Sequence, residues 1–143
     1  MAVSTADAVW EGSLKDGKGN MKLGSGAFNG AYSFRTRFEG APGTNPEELI
    51  GAAHAGCFSM ALSAGLGKAG FTPTRIRTSA KVHLEKVGEG FKITRIQLTT
   101  EAAIPNIDEA TFKQQAEGAK KGCPVSQALT GTQIELDAKL VTA

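Results

Sequence analysis

Apolar and polar residues alternate with a period of two in three stretches of the chain and lose that period between them, which sets an order of elements. Ile76, Thr78, Ala80, Val82 and Leu84 alternate with Arg75, Arg77, Ser79, Lys81 and His83, and this predicts a half-buried strand with His83 on its solvated face. After a VGEG turn, Phe91 and Ile93 are followed by Ile96, Leu98, Thr100 and Ala102, so the apolar parity changes near Thr94. A second strand carrying a β-bulge at that point accounts for the slip. Ile134, Leu136, Ala138 and Leu140 repeat the pattern in a last strand over 133–141. Near the N-terminus, Gly12, Gly17, Gly19, Gly24, Gly26 and Gly30 separate short stretches such as 20–23 and 32–38. Short antiparallel strands joined by turns are expected there. Over 32–38, Tyr32, Phe34, Thr36 and Phe38 alternate with Ser33, Arg35 and Arg37, which predicts a strand with both arginines on its other face.

The alternation gives way to helix signals at Asn45. That residue is a good N-cap, Pro46 suits the first helical position, and Glu47 and Glu48 favour the positive end of the helix dipole. Glu48 also stands at capping-box spacing from Asn45. The helix is expected from Pro46 to about Lys68, with Gly70 as its stop, and would be roughly 33 Å long. It is apolar nearly all round, so burial nearly all round is expected. A chain of 143 residues struggles to enclose so long a helix, and a second subunit would help. Asp108 caps a further helix to about Lys121, with Ala110, Phe112, Ala116 and Ala119 as core contacts. Cys123 and Pro124 then open a short helix to about Leu129.

Composition narrows the functional classes. With 41% hydrophobic residues in 143, the chain can build one core, and a single domain spanning 1–143 is expected. Sixteen Lys and Arg against fourteen Asp and Glu give a formal charge of +2. That balance is poor in the basic stripe nucleic-acid binding needs, so no such partner is expected. Residues 49–67 run uncharged for about the length of a bilayer span, but they are rich in Ala and Gly and include His54, Ser59 and Ser63. A buried core helix is expected rather than a membrane segment. The opening MAVSTADAVWEGS has no basic stretch followed by an apolar one, so a cytoplasmic location is expected. Two cysteines without CxxC or clustered Cys/His spacing make neither a disulfide framework nor a zinc site.

Those cysteines are the main candidates for chemistry. Cys57 lies inside the long helix, where burial raises a thiol pKa unless a cation is close. Cys123 lies at a helix start, whose free N–H groups favour its thiolate. Local physics therefore makes Cys123 the more acidic of the two. His54, three residues before Cys57, reads as a core histidine bonded to a carbonyl, with a Cys-His hydrolase as the sharper alternative. Arg35, Arg37, Glu39, Glu47 and Glu48 form an arginine and carboxylate group before and at the start of the helix. An arginine from that group could stabilise a thiolate, and a carboxylate could orient the arginine.

The string TNPEELIGAAHAGCFSMAL at 44–62, with RFEG at 37–40 and GCPVSQAL at 122–129, closely resembles the OsmC branch of the OsmC/Ohr family. The opening WEG and the GFTPT after the helix match as well, so the resemblance covers nearly the whole chain. It implies an α+β fold in which a long buried central helix is wrapped by antiparallel sheet, in an intertwined homodimer. It also implies a thiol-dependent peroxidase that reduces organic hydroperoxides and, less well, hydrogen peroxide, without haem, metal or any other cofactor. Carried onto this sequence, the peroxidatic thiol is Cys57 and the resolving thiol is Cys123. Glu47 is the glutamate of the NPE motif and Arg37 the arginine of RFEG. The family branches place this arginine on different segments, and Arg35 lies two residues away on the same predicted strand face.

The resemblance reverses the local ranking of the thiols, because it makes Cys57 the reactive one and so demands an arginine beside it. The implied reductant is an external dithiol, in this family typically a lipoylated protein. Helix geometry adds that Glu47 and Cys57, ten residues apart on one helix, are separated by about 15 Å. If both border one peroxide site, the carboxylate should come from the other subunit. Phe38, Ile50, Phe58 and Met60 could line the way in for an alkyl group. Two other readings remain: a non-catalytic dimer binding acyl chains, and an acyl-thioester hydrolase using His54.

Overall fold

The computed structural model describes residues 2–142, and the chain divides into two compact units, one reaching Leu49 and the next starting at Ile50. The first is built on an antiparallel meander, β1 (Ala6–Glu11), β2 (Lys18–Leu23) and β3 (Asn29–Tyr32), in that spatial order. Gly19 of β2 pairs with Trp10 on one side and Tyr32 on the other, and those two rings lie 5.5 Å apart between centroids. A Cβ at Gly19 would lie 2.5 Å from the Tyr32 ring and 2.6 Å from the Trp10 ring. Only glycine lets the two rings close over the sheet.

The strand expected over 32–38 is not formed beyond Tyr32. Ser33 turns the chain into a short helix, α1 (Phe34–Phe38), with a reciprocal capping box. The Ser33 hydroxyl accepts from the Thr36 N–H at 3.2 Å, and the Ser33 N–H donates to Thr36 Oγ1 at 2.9 Å. The alternating phenylalanines misled because Phe34 and Phe38 are also four apart, a spacing that puts them on one helix face. Their ring centroids are 4.9 Å apart.

The long helix, α2 (Pro46–Lys68), has the expected bounds. Asn45 Oδ1 accepts from the Glu48 N–H at 2.8 Å, and the Asn45 amide donates to the Thr36 carbonyl at 3.1 Å. At the other end Gly70 has φ +92°. Its N–H bonds the Gly67 carbonyl and the Phe71 N–H bonds the Leu66 carbonyl, which is the Schellman stop that needs a left-handed residue. Burial nearly all round is not found. Gly51, His54, Phe58, Leu62 and Leu66 form a buried stripe, whereas Ala52, Ala53, Gly56, Met60, Ser63 and Ala64 are exposed. Small residues make both faces weakly apolar, so composition does not reveal which face the core takes.

The second unit, which holds α2 from Ile50 onward, contains a sheet of β4 (Arg75–Val87), β5 (Gly90–Ala103) and β6 (Gln133–Val141). β4 and β5 form an antiparallel hairpin whose register jumps where His83 faces Arg95 and Leu84 faces Ile93. Thr94 is the extra residue, as the parity change predicts. β6 runs parallel to β5, because α3 (Glu109–Gly122) and α4 (Pro124–Ala128) carry the chain back between them. Phe58, Leu62 and Leu66 of α2 join Ile96 and Leu98 of β5 and Phe112 of α3 in one core. Each such side chain, once buried, contributes about 1.5–3 kcal/mol. Ala116 and Ala119 are buried too, but Ala110 is exposed, since two residues before Phe112 it lies on nearly the opposite side of the helix.

Candidate active site

Cys123 occupies a junction that its neighbours dictate. Its N–H bonds the Ala119 carbonyl and closes α3, and Pro124 at the next position starts α4, so Cys123 caps both helices. As N-cap of α4 its sulfur accepts from the Ser126 N–H at 3.5 Å. Cys57, half-buried on α2, meets it across 66 positions of sequence, with the two Sγ atoms 2.8 Å apart. Both are free thiols. A disulfide needs about 0.8 Å of further approach.

The surroundings set the two thiols apart. Burial pushes the Cys57 pKa up, and its hydrogen bond to Cys123 pushes it the same way. Burial also pushes Cys123 up, but bonds from Cys57, from the Ser126 N–H and hydroxyl and from Val125 outweigh it and hold Cys123 below the ordinary thiol value. Cys123 is thus the more acidic of the two, as its helix-start position predicts. For Cys57 to act as a thiolate, a cation must be brought against it.

His54 lies one turn before Cys57 and is fully buried. Its Nε2 is 2.7 Å from Ser126 Oγ, so its partner is a hydroxyl rather than the expected carbonyl. Nδ1 is buried without a hydrogen-bond partner, and desolvation lowers the histidine pKa. Two residues beyond Cys57, Ser59 Oγ donates to the Ala55 carbonyl and meets Thr78 Oγ1, each at 2.8 Å. Thr78 in turn meets Thr100 at 3.0 Å. This ladder pins the rotation of α2 against β4 and β5 beside the cysteine. Sequence reasoning passed over Ser126, although its place three residues after an N-cap was a usable signal.

The other two candidates meet in the first unit. Arg37 Nε donates to Glu47 Oε1 at 2.9 Å, with the Glu47 side chain 8% exposed and the Arg37 side chain 36% exposed. Helix α1 separates the two arginines that a strand would have put side by side. Arg35 turns outward to Glu39 with its side chain 75% exposed, and Arg37 turns to Glu47. The guanidinium also lies over the Phe38 ring, 5.4 Å from its centroid. Among the described residues its Nη groups hold no other hydrogen bond, so they are available to an anion. A cavity of about 200 Å³ beside it is lined by Arg37, Trp10, Leu14, Tyr32, Phe34 and Phe38.

The structure therefore joins the four candidates as two pairs, Cys57 with Cys123 and Arg37 with Glu47, each within its own unit. Of the residues expected to line an alkyl path, Phe38 borders this cavity, but Phe58 is fully buried in the core and Met60 is 77% exposed. His83, expected on a solvated face, is half-buried and its Nε2 meets Gln97 Oε1 at 2.7 Å. Among the described residues no group of three or more His, Cys, Asp or Glu side chains could hold a metal ion.

The sequence model of the OsmC-like protein family matches residues 38–138. Peroxiredoxin OsmC of Escherichia coli is 59% identical over 134 residues, which is 93% of each chain. The organic hydroperoxide resistance protein of Xanthomonas axonopodis pv. citri is 30% identical over 93 residues, 64% of this chain and 63% of that one. Among solved structures, the organic hydroperoxide resistance protein OhrB of Bacillus subtilis superposes with a TM-score of 0.75 at 25% identity, covering 94% of this chain and 98% of that one.

Proposed function

This chain belongs to the OsmC-like protein family, and from that premise we propose that it is a peroxidase that reduces organic hydroperoxides through Cys57 and Cys123. The observation that carries the two-cysteine reading is the 2.8 Å approach of the two free sulfurs. The Cys57 thiolate attacks the terminal peroxide oxygen, the O–O bond breaks, and the alkoxide leaves and takes up a proton as an alcohol. Cys57 is then a sulfenic acid. Cys123 displaces its hydroxyl, which departs as water, and a disulfide joins the two. An external dithiol reduces that disulfide by exchange and is itself oxidised. On this reading the dithiol is carried by a lipoylated protein, and the whole chain acts as one domain in the cytoplasm.

Arg37 supplies the cation that Cys57 lacks in its own unit, and Glu47 orients it. Two features support a homodimer as the working molecule. One is the exposed stripe of small residues and Met60 along α2. The other is the length of that helix: Glu47 and Cys57 stand about 15 Å apart along it, so the Arg37 and Glu47 of one subunit serve the partner subunit's Cys57. The acyl-thioester reading loses support because His54, its only general base, is fully buried and has no carboxylate on Nδ1.

The test is consumption of an alkyl hydroperoxide with dithiothreitol by wild type, Cys57→Ser and Cys123→Ser, with intact mass of each product. Cys57→Ser should be inactive, and Cys123→Ser should accumulate a sulfenic acid that never becomes an intramolecular disulfide. Turnover that survives Cys57→Ser sinks the proposal. An active monomer by light scattering sinks its dimeric part.

A further inference from the structure

His54 and Ser126 have no part in the chemistry above, yet they are joined 72 positions apart in sequence behind the cysteine pair. His54 is 0% exposed and Ser126 4% exposed, and buried polar contacts of this kind are costly unless they are satisfied. His54 keeps one ring nitrogen, Nδ1, buried without a partner. A proton on Nδ1 would be an orphaned buried N–H, the rarer kind of defect. The tautomer with its proton on Nε2 leaves only a lone pair unsatisfied, and Nε2–H then donates to Ser126 Oγ. Since the hydroxyl's acceptor side is taken by the histidine, its own proton is free for the Cys123 sulfur, whose pKa a bond from the Ser126 side chain lowers and to which Ser126 also donates its N–H at 3.5 Å.

We propose that His54 is a positioning residue for the second step of the reaction: acting through Ser126, it directs a buried chain of donors, His54 Nε2–H to Ser126 Oγ–H to Cys123 Sγ, that readies Cys123 as the thiolate attacking oxidised Cys57. His54 stays neutral throughout and is neither base nor nucleophile. In that step the Cys123 thiolate forms the S–S bond, the S–O bond of the Cys57 sulfenic acid breaks, and the leaving hydroxide takes a proton to become water. Burial keeps the histidine uncharged, which matches a fixed donor rather than a proton carrier. Among the described residues, Cys57 is the one ionisable side chain acting directly on Cys123, and α4 adds Ser126 and the Val125 backbone. The device rests on the two-cysteine reading for its purpose but not for its existence.

The decisive experiment is a thiolate absorbance titration at 240 nm in a Cys57→Ser background, where Cys123 is the sole thiol. Adding Ser126→Ala, which keeps the backbone N–H, should raise the Cys123 midpoint by about one pH unit, the size expected for losing one hydrogen bond to a charged group. His54→Leu should raise it in the same direction, while Ser126→Thr and His54→Gln, which preserve a hydroxyl and a side-chain N–H, should stay near the parent. With Cys57 restored, His54→Leu and Ser126→Ala should slow sulfenic acid conversion to disulfide about tenfold and leave sulfenic acid formation unchanged. An unmoved midpoint in Ser126→Ala overturns the proposal, even if His54→Leu fails to fold. A midpoint that moves in Ser126→Ala but not in a folded His54→Leu overturns the role of the histidine. Because the titration needs no peroxide, its result stands apart from whether the protein is a peroxidase.

Discussion

The Arg37 and Glu47 pair makes an asymmetric prediction. The two ends are buried unequally, with the Glu47 side chain 8% exposed and Arg37 36% exposed. At 2.9 Å their attraction is about 6 kcal/mol in an effective dielectric of about 20, before either charge is desolvated. Replacing Arg37 with methionine keeps an apolar stem but strands a carboxylate that water barely reaches. Stranding one partner of a fully buried pair costs about 3–5 kcal/mol. Because the arginine end is partly open to water, Arg37→Met should cost about 2–3 kcal/mol. Glu47→Gln removes the charge that is expensive to bury, leaves the arginine partly hydrated and keeps an oxygen for Arg37 Nε. It should cost about 1 kcal/mol or less. Urea unfolding at pH 7 measures both, read as midpoint changes at constant slope. The double variant should be more stable than Arg37→Met alone, because the stranded charge is gone. A Glu47→Gln cost equal to or above that of Arg37→Met would refute the reasoning and mean that the ion pair is a net stabiliser.

The pKa of His54 is lowered by burial from its ordinary value of 6.5, so below that pH the unfolded chain takes a proton that the folded one refuses. Its contribution to stability is complete above pH 6.5 and drains away on acidification, by up to about 1.2 kcal/mol between pH 7.0 and 5.5; urea midpoints of wild type against His54→Gln at both pH values isolate it. Gly19→Ala forces a Cβ to 2.5 Å from the Tyr32 ring and should cost about 1–3 kcal/mol, with a change in near-ultraviolet circular dichroism from Trp10 and Tyr32. Ser33→Ala removes half of the α1 capping box and should cost about 1 kcal/mol. It should also lower the rate with hydroperoxide more than Arg35→Ala does, since α1 aims Arg37.

Local chemistry was legible wherever a feature is decided by residues close in sequence. Asn45, Pro46 and Gly70 bound α2 because caps and left-handed stops are satisfied within one turn. The Thr94 bulge is legible because an inserted residue flips the parity of every later side chain. Cys123 reads as the acidic thiol because the helix start that favours its charge begins at the next residue. The segment 32–38 was misread because Phe34 and Phe38 fit a strand and a helix equally, and the balance was tipped by a reciprocal bond between Ser33 and Thr36 worth about a kcal/mol.

What the sequence by itself determined, then, is the elements from α2 onward with their approximate ends and, through the strings around Cys57 and Cys123, the family. Only the tertiary structure decided which distant groups meet. The Cys57 and Cys123 sulfurs come together across 66 positions and His54 meets Ser126 across 72, and no periodicity encodes such distances. It also decided that Arg37 rather than Arg35 faces Glu47, since in a helix two residues apart point to nearly opposite sides. The parallel run of β6 beside β5 and the choice of one buried stripe on α2 follow the same rule. A local bond is decided by a few neighbours, whereas packing minimises exposed apolar area over the whole chain at once, and that sum has no local signature.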